Sequence, residues 1–267
     1  MKRSILFLPG LLLLLAGCAV SPPGSVGPEA LGGSDDNPGA RLHTELGARY
    51  FERGQYAIAL QELRLALSAD SAYAPAYNIL GLVHGELRED ALAEGHFKRS
   101  IELSPNYSEA HNNYGLFLCQ RARKQDAMRH FETALSNPLY STPDKALANA
   151  GNCELATQGD PARAENYFVR ALKRAPNQAT ALLGMAEVHY RLGRWLAARS
   201  VLRQYGAQVG DTAMTPQALW LGVRVERKLG EREAEADYGA RLRRGHPESM
   251  QAQWLISGDY EQAGSPL

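Results

Sequence analysis

Cys119 and Cys153 stand 34 residues apart and are the only thiols beyond Cys18. Two cysteines can form a disulfide, supply half of a metal site, or furnish a nucleophile. A zinc site needs about four ligands, and no second cysteine pair or suitably spaced histidines accompany these two. The seven histidines contain no HExxH-type pair and no partnered nucleophile. His43, His84, His111 and His189 take helix-packing slots, His96 and His130 each precede a phenylalanine, and His246 precedes Pro247. Phosphate-cradling glycine loops are missing too. Glu86, Glu89, Glu94 and Glu102 interleave with Arg88, Lys98 and Arg99, as on solvated helix faces. Arg241, Arg243 and Arg244 match the cation preference of a helix C-terminus. These patterns predict no catalytic residue, no metal, no cofactor and no small-molecule substrate.

Cys18 is different. Lys2 and Arg3 precede a leucine-rich stretch, Ser4 to Leu14, that is long enough for a signal peptide and too short to span a bilayer. Leu15-Ala16-Gly17-Cys18 then resembles a bacterial lipobox, in which small residues precede the cysteine that receives the lipid. The expectation is a signal peptide over 1–17, with Cys18 as the lipidated N-terminus of the mature chain. Ala19, not aspartate, follows the cysteine. By resemblance to lipoprotein sorting rules, this implies the outer membrane, with the folded part facing the periplasm. Residues 18–39 are rich in Pro, Gly, Ser and Asp and lack helical periodicity, which reads as a flexible tether. Fully extended, it would reach roughly 70 Å.

Net charge is zero, from 29 basic and 29 acidic residues, so no global field favours nucleic acid or an anionic lipid surface. Hydrophobic residues at 45% suffice for a sizeable core.

The elements that must position the remaining residues repeat at about 34 residues from Ala40 onward. Copies start near 40, 74, 108, 145, 179 and 216. The fourth is expected three residues late, at Lys145, because Pro138 to Pro143 reads as a loop with two helix breakers. The sixth reads as worn, with Glu235 and Gly239 where Ala and an aromatic are expected. Recurrent Leu-Gly, Ala, Phe and Pro positions resemble the tetratricopeptide repeat (TPR), a helix–turn–helix unit that stacks into a solenoid. The expected fold is all-α, a right-handed superhelical solenoid of about six such repeats over 40–256. Met250–Ile256 would form its terminal cap and 257–267 a C-terminal tail.

In that register Cys119 and Cys153 both fall on first helices, which in TPR proteins line the concave side. An oxidising periplasm favours a disulfide between them, and two free, partly buried thiols are the alternative. Asn78, Asn112 and Asn149 share the fifth position of their copies, flanked by apolar Phe51, Leu82, Leu116, Leu183 and Tyr190. Asparagine can offer both donor and acceptor to a peptide main chain, with apolar neighbours taking side chains. Local polar satisfaction is the competing use. The lysines of the TPR carboxylate clamp do not accompany this ladder.

Three stretches are more specific than the repeat: NNYGLFLCQ (Asn112–Gln120), FETALSNPLYSTPDKALANAGNC (Phe131–Cys153) and GDPARAENYF (Gly159–Phe168). With the lipobox they resemble the type IV pilus biogenesis and stability lipoproteins, the pilotins of the pilus secretin, from about Leu42 to about Pro247. That resemblance implies a secretin partner, promotion of its localisation and multimerisation, and no turnover. An assembly factor for another envelope machine, such as polysaccharide export, is the alternative. A periplasmic hydrolase would need a carboxylate pair or nucleophile constellation that the repeat register does not show.

Overall fold

The computed structural model describes residues 37–156 and 159–260. Residues 1–17, Cys18 and most of the tether lie outside the described residues.

Thirteen α-helices among the described residues pair in sequence: α1 (Pro38–Glu52) with α2 (Tyr56–Ala69), α3 (Ala74–Glu86) with α4 (Asp90–Leu103), and α5 (Ser108–Gln120) with α6 (Lys124–Ser136). α7 (Pro143–Ala156) pairs with α8 (Pro161–Arg174), α9 (Ala179–Arg191) with α10 (Trp195–Val209), and α11 (Pro216–Leu229) with α12 (Arg232–Gly245). α13 (Met250–Ser257) closes the end against α11 and α12. Each odd-numbered helix from α1 to α11 also packs on the next odd-numbered one, so the first helices form a continuous layer. This is the expected solenoid of about six repeats.

Five of the six pairs, all but α9 with α10, share one steric device. A Cβ added at Gly81 would sit 2.7 Å from the Phe97 ring, and one at Gly115 would sit 2.8 Å from Phe131. Gly151 faces Phe168 and Gly222 faces Tyr238 in the same way, while Leu63 takes the ring's place over Gly47. A bare backbone on the first helix therefore receives a bulky apolar side chain of the second. Phe97, Phe131 and Phe168 are each fully buried as a result. Burial of such a side chain contributes roughly 1.5–3 kcal/mol.

Five of the hairpin turns share a left-handed residue. Gly54, Gly193 and Gly230 adopt φ of 69°, 71° and 77° there, but Arg88 (61°) and Ala122 (57°) do so with a Cβ. Some helix starts carry side-chain caps: Asn37 accepts from the Ala40 amide at 3.0 Å, and Thr215 from the Ala218 amide at 3.2 Å.

Two register expectations need correction. The fourth first helix opens at Pro143, not Lys145. Proline at the first helical position lacks only an N–H that the helix leaves unpaired anyway, so Pro143 starts the helix. The sixth repeat is also intact at its seam. Tyr238 packs on Gly222, with Ala234 four residues earlier, so the pattern runs one residue ahead of Glu235 and Gly239. Gly239 instead lies under Leu255 of the closing helix α13.

Candidate functional site: the inner face of the first helices

Cys119 near the end of α5 and Cys153 in α7 are joined in a disulfide, with Cα atoms 5.8 Å apart. The pairing follows from the packing of neighbouring first helices, α5 on α7, although the two positions are not equivalent: Cys119 lies four residues after the seam glycine Gly115 and Cys153 two after Gly151. Of the two alternatives the sequence left open, the bridge is the one observed. Cys153 is buried, and Cys119 is half-buried at the surface of the central core cluster.

The asparagines are brought together, but mainly with one another. Asn149 Nδ2 donates to Asn112 Oδ1 at 3.0 Å, Asn112 Nδ2 donates to Asn113 Oδ1 at 3.3 Å, and Asn113 Nδ2 donates to Asn78 Oδ1 at 3.1 Å. This chain of amides crosses α7, α5 and α3. Asn78 and Asn112 are only 1% and 3% exposed, so neither amide is free to meet a partner's main chain. The close approach of neighbouring first helices turns the fifth position into a seam. Asn149 and the unanticipated Asn113 are half-buried and form the reachable part.

The apolar candidates divide similarly. Leu82 and Leu116 are half-buried on the same core cluster that carries Cys119 and Cys153. Phe51 lies on α1 with its ring 6.0 Å from Tyr56. Leu183 is 6% exposed and belongs to the core of the last repeats, which corrects its assignment as a groove residue. Tyr190 is half-buried on α9, and Arg224 of α11 lies over its ring at 4.5 Å.

The histidines serve packing. His84 stacks on His96 at 5.1 Å, and His43 bonds Glu62 at 2.7 Å. His111 Nε2 donates to the Pro105 carbonyl at 3.0 Å, which leaves its Nδ1 to accept from His130 Nδ1 at 2.9 Å. Burial, then the neighbouring His111, hold the His130 pKa at about 4, well below the usual 6.5. Glu94 is the opposite case. Lys98, Tyr114 and Arg123 all bond its carboxylate, and its pKa falls to about 2. Arg241 bonds the Asp211 carbonyl at 3.0 Å, and His246 Nε2 donates to the Met214 carbonyl at 3.0 Å. Among the described residues no group of three or more His, Cys, Asp or Glu is placed to hold a metal ion, and no helix is long and apolar enough to cross a membrane.

Such a face can hold an extended segment by apolar contact at Leu82 and Leu116 and by polar contact at Asn149 and Asn113. The tetratricopeptide repeat family matches residues 96–136 and 155–215. The type IV pilus assembly protein PilF of Pseudomonas aeruginosa is 29% identical over 211 residues, which is 79% of this chain and 82% of that one. The solved structure of P. aeruginosa PilF superposes with a TM-score of 0.71 at 27% identity, covering 82% of this chain and 97% of that one. That of PilW, described as a widely conserved type IV pilus biogenesis factor, gives 0.72 at 28%, covering 82% and 99%. The chain is a tetratricopeptide-repeat protein related to the PilF and PilW type IV pilus assembly factors.

Proposed function

We propose that this chain is an outer-membrane lipoprotein that acts as pilotin for the type IV pilus secretin. It binds the secretin through its repeats and promotes secretin localisation and multimerisation. The observation that carries this reading is the relationship to PilF and PilW across about four-fifths of the chain. Cys18 after its lipobox-like sequence gives the anchor, and the repeats give the binding surface. The division of labour has a physical basis. A tether that holds the repeats near the membrane raises the effective concentration of a membrane-inserted partner, so modest affinity for each segment suffices. Leu82, Leu116 and Asn149 are the residues assigned to the secretin segment, on a layer in which the Cys119–Cys153 bridge ties α5 to α7. Phe51 extends the same layer toward the N-terminal end.

The test is a comparison of three strains: parent, Cys18→Ser, and one lacking the protein. Secretin multimers in the outer-membrane fraction should be abundant in the first and sharply reduced in the other two. Palmitate labelling should be lost in Cys18→Ser, and the parent protein should capture the secretin from detergent-solubilised outer membranes. Normal multimers in the strain without the protein, together with no capture, would refute the assignment.

A further inference from the structure

A cleft of about 250 Å³ opens at the C-terminal end of the array, lined by Tyr190, Arg224, Arg227, Lys228 and Tyr260. Among the described residues every one that lines it is cationic or aromatic. Arg224 is 5% exposed, bonds Glu187 through Nη2 at 2.8 Å, and lies over the Tyr190 ring. Its Nε is buried without a hydrogen-bond partner. Arg227 bonds Glu235 through Nη1 at 2.9 Å, and its guanidinium sits 3.9 Å from the centre of the Tyr260 ring. Tyr260 is fixed in turn by stacking on Trp220 at 5.8 Å.

A buried guanidinium N–H without an acceptor costs free energy, which calls for an explanation in terms of what the site receives. Stacking uses the faces of both guanidinium groups, and the N–H groups not already bonded to Glu187 and Glu235 are left as the directional element. Such an edge matches the two oxygens of a carboxylate. The two tyrosines add apolar surface to the lining, which a bare inorganic anion would not use. The volume suits one or two side chains rather than a larger ligand.

The geometry points to a carboxylate-binding subsite for a peptide segment, in which an acidic group meets Arg224 and Arg227 while an adjacent aromatic side chain packs on the tyrosines of the lining. The subsite belongs to the last two repeats and the residues after α13, remote in sequence from Leu82, Leu116 and Asn149. Failure of the secretin assignment would therefore leave it standing. The carboxylate has two possible sources, an acidic side chain or a chain terminus, and the experiment separates them.

Full-length protein would be titrated with three short labelled peptides. One joins phenylalanine to aspartate and is amidated, one has asparagine for that aspartate, and one ends on phenylalanine with a free carboxylate. At least one of the two acidic peptides should bind tenfold or more tightly than the asparagine peptide, and which one does so names the source. Arg227→Gln should reduce that preference about tenfold. Arg224→Lys keeps the charge beside Glu187 but loses the planar edge, and should do the same. Circular dichroism would verify that both variants are folded, and Arg227 is exposed enough for its replacement to leave the core intact. Equal binding of acidic and asparagine peptides, or an undiminished preference in folded Arg227→Gln, would overturn the proposal. So would absence of peptide binding alongside Arg227-dependent binding to phosphatidylglycerol vesicles, which would make the cleft a lipid contact.

Discussion

Asn149 donates to Asn112 across the seam between α7 and α5, on the same layer where Cys119 and Cys153 are covalently joined. Asn112 also donates onward to Asn113, so its removal strands two amides at once. Asn112→Ala should lower stability by about 1–2 kcal/mol, and Asn149→Ala, at the half-buried end of the chain, by about half as much. Urea unfolding followed by circular dichroism measures both. Equal stability of Asn112→Ala and parent would mean that the amide chain contributes nothing. For recognition, Asn149→Ala is then the cleaner probe, because Asn112→Ala mixes folding with binding.

Glycines on the helices divide into two groups with opposite expectations. Gly81 has no room for a methyl group against Phe97, so Gly81→Ala should destabilise by about 1–3 kcal/mol through overpacking. Gly95 lies on the exposed face of α4 with open space around a new Cβ, and there Gly→Ala should stabilise by roughly 0.5–1 kcal/mol. Thermal melts of the two variants should move in opposite directions. A shift of the same sign in both would reject the seam as the origin of the repeat's glycine.

The repeat was legible because that seam demands similar residue types at the same spacing in most copies. Gly81 with Phe97 and Gly115 with Phe131 are visible as text before they are visible as contacts. Pro143 misled because proline ends helices and also begins them, and only the neighbouring geometry decides which. The burial of Asn78, Asn112 and Leu183 was not legible either. Position in a helix identifies a face but not how closely the next helix approaches it. The C-terminal cleft joins Tyr190, Arg224 and Tyr260 from two repeats and a segment beyond the last helix, so no local spacing announces it. Its one textual trace is Arg224 between Val223 and Val225, a charge inside a buried apolar run.

The disulfide closes a 34-residue separation, for which chain entropy gives a stabilisation of about 3–4 kcal/mol. Stacked repeats already restrict each other, so Cys119→Ser with Cys153→Ser should keep the helical fold while shifting the urea midpoint downward. The same shift should follow from reductant added to the parent and be absent in the double variant. Alkylation of denatured, unreduced protein should leave both thiols unmodified. Quantitative alkylation under those conditions would show that the bridge does not form in the cell.

Acid should loosen the centre of the solenoid before it reaches the carboxylates. Burial lowers the pKa of His96, His111, His130 and His189, to about 4 for His130, relative to a usual 6.5. A histidine whose folded pKa is depressed binds its proton more readily in the unfolded chain, so stability falls as pH drops. The loss should begin near pH 6.5, where the unfolded imidazole charges, and run toward pH 4, where folded His130 charges as well. Glu94 acts lower, because its carboxylate is depressed from the usual 4.5 to about 2 and its contribution is lost only as pH falls through that range. Urea midpoints measured from pH 7.5 to pH 4.5 should therefore decline, and His130→Phe should flatten the decline by removing the group with the lowest value. His130 packs on the Tyr114 ring at 4.5 Å, a contact that phenylalanine can retain. A parent protein with constant midpoints over that interval, or an undiminished slope in folded His130→Phe, would show that the His111–His130 pair does not govern acid sensitivity.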